Sequence, residues 1–304
     1  MGCNHSKSLD RKEFTKLWQN PKFTRILNRE YCEVKREEKF FGTFYACQLR
    51  QNRVNYGKVN RFCYDHNRVI IPVDYGSGDY INASYIDGWA QKRKFICTEA
   101  PLRKTMYQFW KMIWLHRTRI IVMLCETDEL HEEQFYRYWD PYEGGVKVVQ
   151  KFRIETVKIM TRDNYKVTVL NVTDGTKELH EMIHISRLDC SKILFVHESV
   201  EFIEFILTVR RIHRAFKKDL LRLNNPNYEP PIVVHCSSGT GISAVFCAMD
   251  ISISEYHSNG TISLQRTAIK LRRQRYDSFF DYNYYHIYNM LMFRYLTVVL
   301  EEKI

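Results

Sequence analysis

Proline and glycine are scarce in this chain, 7 and 12 among 304 residues, and they are scattered rather than gathered into runs. That scarcity excludes a collagen-like or low-complexity chain and leaves no flexible linker at which to divide it. No internal repeat is visible, which excludes solenoids and propellers. No apolar run approaches the roughly 18–20 residues that a spanning helix needs, and no secretory leader is evident. Cysteine lacks the even count and regular spacing of a disulfide framework. Nine thiols, several inside apolar runs (Cys97, Cys125, Cys247), read as reduced thiols of the cytosol. The glycosylation sequons at Asn4, Asn82, Asn171 and Asn259 are then without meaning.

What is present is enough for one sizeable core: 45% hydrophobic, 14% aromatic and 27% charged residues. A formal net charge of +11 invites a nucleic-acid reading. No zinc-finger, basic-zipper or RNA-binding pattern supports it, so no nucleic-acid partner is expected. The basic residues instead recur through helical stretches, as in Arg210, Arg211, Arg214, Lys217 and Lys218, and again Lys270, Arg272, Arg273 and Arg275. Such stretches are solvated helix faces, or they attract an anionic membrane surface or an acidic, phosphorylated partner. The opening Met1-Gly2-Cys3-Asn4-His5-Ser6-Lys7-Ser8 sharpens that choice. It matches the pattern for myristoylation of Gly2, with Cys3 placed for palmitoylation, and a second chain or a basic patch turns marginal attachment into a stable one.

The most informative stretch is Pro230-Pro231-Ile232-Val233-Val234-His235-Cys236-Ser237-Ser238-Gly239-Thr240-Gly241-Ile242-Ser243. An apolar strand feeds a loop of small residues, and a helix expected over about Ile242 to Tyr256 follows. Loop amides turned inward, with the positive end of that helix behind them, make an anion cradle. The stretch resembles the signature loop of the tyrosine-specific protein phosphatases, His-Cys-x-x-Gly-x-x-Arg-Ser/Thr. In that family the Cys attacks phosphorus and the Arg clamps the phosphoryl oxygens. Cys236 stands at the nucleophile position, but Ile242 stands where the Arg belongs. An Arg supplies two charge-assisted hydrogen bonds and Ile none, a loss of roughly 3–5 kcal/mol of transition-state stabilisation.

Other segments carry the same resemblance over roughly residues 40 to 300. Asn60 to Ile70 is similar to the family's Lys-Asn-Arg-Tyr segment and its sequel, with Phe62 in place of the Tyr that stacks on the substrate ring. Asp79 to Gly88 is the strongest match and alternates like a strand. Phe95 to Leu102 continues it, with Glu99-Ala100 where the family has Gln-Gly, and Tyr138-Trp139-Asp140-Pro141 resembles its Tyr-Trp-Pro. Glu181 to Cys190 lines up with the mobile acid loop. There Asp189 survives as the candidate general acid, while Arg187 and Leu188 replace the Trp and Pro beside it. Arg272-Arg273-Gln274-Arg275 resembles the family's Arg-x-x-Arg, and Phe280 and Tyr284 occupy the places of the two glutamines that position the hydrolytic water.

Local signals fill in the remainder. Leu9 to Arg36 has helical periodicity broken near Pro21. Thr105 and Ser199 are expected to cap helices, the second running to about Leu223, and Ile120 to Leu124 is a buried strand. Val146 to Ile185 reads as an antiparallel meander, and Ser263 to Arg275 as a helix. The resemblance implies an α/β tyrosine-phosphatase fold, a mixed twisted sheet flanked by helices in a single domain. The expected boundaries are an acylated segment and helical cover over 1–39 and the phosphatase-like domain over 40–300. It implies neither cofactor nor metal. An acylation signal in front of a bare domain of this kind resembles the phosphatase-like proteins of polydnaviruses, delivered by parasitoid wasps into insect hosts. The implied role is a catalytically impaired protein on the cytosolic face of a membrane, binding phosphotyrosine-containing proteins or a signalling partner. A residual enzyme using a Cys236 phospho-enzyme is the alternative.

Overall fold

The computed structural model describes residues 7–37, 42–55, 62–73, 78–124, 136–187, 196–222 and 229–300. In chain order the elements are β1 (Leu9–Asp10), α1 (Arg11–Trp18), α2 (Phe23–Arg36), α3 (Tyr45–Gln48), β2 (Arg68–Ile70), β3 (Tyr80–Ile86), β4 (Phe95–Glu99), α4 (Met106–Leu115) and β5 (Ile120–Met123). They continue with β6 (Val146–Val149), β7 (Phe152–Thr161), β8 (Tyr165–Thr173), β9 (Leu179–Arg187), α5 (Val196–Arg222), β10 (Ile232–Cys236), α6 (Ile242–Asn259), β11 (Thr261–Ile262), α7 (Leu264–Gln274) and α8 (Tyr282–Arg294).

Among the described residues nine strands form one mixed sheet in the order β2-β3-β4-β10-β5-β9-β8-β7-β6. The centre is parallel: β10 pairs β4 and β5, and β5 pairs β9. Both flanks are antiparallel, including the meander from β6 to β9. Period-two alternation sorts the central side chains into two layers. Ile232, Val234 and Cys236 of β10, with Ile120 and Val122 of β5, join the layer containing α2, α5, α6 and α8. Val233, with Ile121 and Met123, joins the layer of α4, Tyr138 and the meander. The result is a single α/β domain with its core on both faces of the sheet, and β10 runs through the middle of it.

Several local expectations need correction. The helical cover is preceded by a short strand, β1, which pairs antiparallel with β11. Its break covers residues 19–22. Asp10 caps α1 through its side chain, with Glu13 reciprocating. Strand β3 does not alternate in exposure: it lies inside the sheet and six of its seven residues are buried. Ser199 is no cap, because α5 begins at Val196 and places Ser199, fully buried, inside the helix. Thr105 does precede α4, but its hydroxyl accepts from Leu102 N at 2.9 Å instead of satisfying the helix amides. Helix α6 runs to Asn259 and stops at Gly260, which takes the left-handed conformation (φ 71°) that glycine accommodates without strain.

Candidate active site around the Cys236 loop

Strand β10 ends at Cys236 and α6 starts at Ile242, so the loop between them opens at the carboxyl end of a central parallel strand. That is where open α/β sheets place their ligands. Cys236 is 4% exposed, and Gly239 N donates to its Sγ at 3.2 Å. Ser237 is exposed, whereas Ser238, Gly239, Thr240 and Gly241 are buried, with the Ser238 and Thr240 hydroxyls 3.1 Å apart. Ile242 and Ser243 are buried in the first turn of α6, and the Ile242 side chain belongs to the helix-side core.

The loop's shape depends on what lies behind it. Gly239 has φ 68°, and a Cβ there would sit 2.3 Å from Thr98 O, so neither the angle nor the space admits a side chain. Arg275, fully buried at the end of α7, donates from Nε to Gly239 O at 2.7 Å and from Nη2 to Ser238 O at 3.2 Å. It also reaches Ser84 Oγ at 3.2 Å and Asn82 Oδ1 at 3.4 Å, tying the loop to β3. Cys97 Sγ donates to Gly239 O at 3.2 Å from the neighbouring strand. The bracing role of Arg275 was missed in the sequence, although the Arg-x-x-Arg spacing held the signal.

The segment after α7 docks on the same loop. Phe279 N donates to Thr240 O at 2.9 Å, and Phe279 O accepts from Tyr31 OH at 3.1 Å. Asp277 and Phe279 both have positive φ, 59° and 55°. For a buried phenylalanine this is a strained conformation costing on the order of 1–3 kcal/mol, and surrounding contacts must hold it. Phe280 and Tyr284 then stand side by side with ring centroids 4.9 Å apart. A Cβ at Gly241 would meet Tyr284 Cζ at 2.7 Å, so the Tyr284 ring lies on the loop backbone itself. A pair of aromatic rings thus stands beside the loop.

On the other face of the sheet His235 is fully buried, as is His184 of β9, and Tyr138 OH lies 2.8 Å from Nε2 of each. Burial pushes both imidazoles down to about 3, with His184 adding to the effect on His235. Both are therefore neutral at physiological pH, and His184 Nδ1 has no hydrogen-bond partner among the described residues. Nothing in the sequence marked His184, because its partner Tyr138 is 46 residues away.

Phe62 is half-buried and meets Phe44 edge-on at 6.3 Å, and Phe44 stacks on Tyr64 and touches Tyr276. It thus joins an aromatic cluster next to Arg275. Asp189, Gly2 and Cys3 lie outside the described residues. No group of three or more His, Cys, Asp or Glu able to hold a metal occurs among the described residues.

The protein-tyrosine phosphatase family model matches residues 50–293. Tyrosine phosphatase H2 of Microplitis demolitor bracovirus is 38% identical over 302 residues, covering 97% of this chain and 91% of that protein. Tyrosine phosphatase-like protein J1 of the same virus is 34% identical, covering 90% of this chain and 91% of that protein. The mouse tyrosine-protein phosphatase non-receptor type 9 is 31% identical over 84% of this chain and 44% of its own length. With a family model over most of its length and relatives of this identity and coverage, the chain belongs to the protein-tyrosine phosphatase family.

Proposed function

We propose that the protein is a catalytically impaired member of this family, which binds phosphotyrosine-containing proteins or a signalling partner and interferes with phosphotyrosine signalling without efficient turnover. The observation that carries the reading is Ile242: at the first position of α6, directly after the loop, its side chain is buried in the apolar core. An apolar wall there offers no counter-charge to a transferring phosphoryl group. The Phe280–Tyr284 pair supports the same reading, because two rings cannot orient a water by amide hydrogen bonds. The likeness to bracovirus proteins supports action inside a host cell, including host immune cells. The Gly2-Cys3 start supports a tether at the cytosolic face of its membranes.

One observation favours a second reading, residual cysteine-dependent hydrolysis. The loop remains folded around Cys236, with Gly239 N on its Sγ and Arg275 behind it. A single preparation decides between them. Binding of a phosphotyrosine peptide with turnover at background is the expected result. Robust hydrolysis that Cys236→Ser abolishes would establish the enzyme instead.

A further inference from the structure

We propose that the cleft between the β3–β4 connection and α7, away from the Cys236 loop, receives the phosphate-bearing headgroup of an anionic membrane lipid. Ile251, which lines it, is nine residues along α6 from Ile242, or about 14 Å at the helical rise. The cleft encloses about 520 Å³. One wall is α7, which presents Arg266, Lys270 and Arg273 at spacings of four and three, hence on one face. The opposite wall carries Trp89 and Lys92.

The charges in this cleft are not equivalent. Asp87 also lines it, but its carboxylate is occupied, with Oδ2 accepting from Gln274 Nε2 at 2.7 Å and Oδ1 from Arg93 N at 2.8 Å. Arg266 pairs with the buried Glu255 and Arg273 with Glu37, each at 2.6 Å. Lys92 and Lys270 are exposed and have no carboxylate partner among the described residues. They are the two cations available to a ligand. Trp89 is half-buried against the core, an amphipathic ring of the kind that sits at a membrane interface.

The occupant follows from how near the N-terminal segment passes to the cleft. Arg266 donates to Ser8 Oγ at 3.1 Å, and β1 follows directly, so the seven residues from Met1 to Lys7 lead up to the cleft wall. Fully extended they span about 25 Å. A surface that holds Gly2 and Cys3 is therefore within reach of Lys92 and Lys270, and a lipid phosphate is the anion such a surface supplies. The choice of a lipid rests in this respect on the proposed tether.

The experiment uses the full-length chain without acyl groups, so that a failed tether and a failed cleft are distinguishable. Sedimentation with phosphatidylcholine vesicles doped with a phosphorylated inositol lipid is compared with a soluble inositol phosphate and with a phosphotyrosine peptide. Lys92→Glu/Lys270→Glu is expected to weaken vesicle binding by about tenfold or more. The control Lys158→Glu/Lys166→Glu removes the same charge from exposed sites on β7 and β8 and is expected to weaken it by less than about threefold. Equal losses in the two pairs would reduce the effect to net charge and overturn the proposal. So would an absence of vesicle binding, binding of the soluble phosphate alone, or loss of peptide binding in the cleft pair with vesicle binding unchanged.

Discussion

At the scale of single residues, Ile242 and His184 make opposite kinds of demand. In the proposed reading, Ile242→Arg returns a guanidinium to the cradle, while Phe280, Tyr284 and Arg187 still stand where the resemblance to the family expects two water-positioning glutamines and the loop tryptophan. Turnover on a phosphotyrosine peptide is expected to rise by less than about tenfold, out of the hundredfold or more that roughly 3–5 kcal/mol represents. Recovery to the level of an active relative would show that Ile242 alone disables the site. His184 bears on stability. Its folded-state value, about 3, lies below its ordinary 6.5, so between these the unfolded chain binds the extra proton. Stability contributed by the neutral form is full above pH 6.5 and drains away as pH falls toward 3. Between pH 6 and pH 5 the wild type should lose about 1 kcal/mol through this residue, a loss absent from His184→Gln. Urea titrations of the two proteins at both pH values measure it, and parallel losses would remove His184 from the account.

At the scale of elements, α6 is fastened at its start and again near its middle. Its start closes the Cys236 loop, and near its middle Asp250 accepts from Lys94 Nζ and Arg210 Nη1, each at 2.6 Å, joining α6 to the chain leading into β4 and to α5. Burial would raise this carboxyl, yet Lys94 and Arg210 hold it below its ordinary range. Asp250→Ala leaves two largely buried cations without their anion and should cost about 3–5 kcal/mol in a denaturation experiment. A loss under 1 kcal/mol would mean that water replaces the carboxylate. Such cross-element ties explain what was legible in the sequence. The strand-loop-helix at Pro230 to Ser243 could be read because neighbours along the chain encode it. So could the meander and α7, whose periodicity is local. The Asp250 triad, the Arg275 brace, the His184–Tyr138–His235 chain and the Tyr284 ring on Gly241 join residues 36 to 193 positions apart, or depend on how a loop faces a ring, and no local pattern carries them. The same limit explains the misplaced cap at Ser199: it has the right residue type for a helix start, and the helix begins three residues earlier.

At the scale of the whole molecule, the proposed tether makes location a sum of weak terms. Among the described residues no helix is long and apolar enough to cross a membrane, so in this reading attachment comes from the N-terminus and from the +11 net charge. A myristoyl chain contributes about 0.8 kcal/mol per buried methylene and alone gives only reversible binding, so palmitate on Cys3 or the basic surface supplies the second hold. Gly2→Ala removes the first acceptor and, with it, the membrane contact that palmitoylation of Cys3 uses. The membrane pool of the expressing cell should then pass to the soluble fraction. Cys3→Ser leaves the myristoyl chain and the lysines, so release should be partial at low salt and grow as salt screens the basic contacts over a Debye length of about 8–10 Å. Fractionation at two ionic strengths reads both effects. A wild-type chain that fractionates as soluble, with Gly2→Ala unchanged, would end the tether reading and leave the Lys92–Lys270 cleft to be judged on unacylated protein alone.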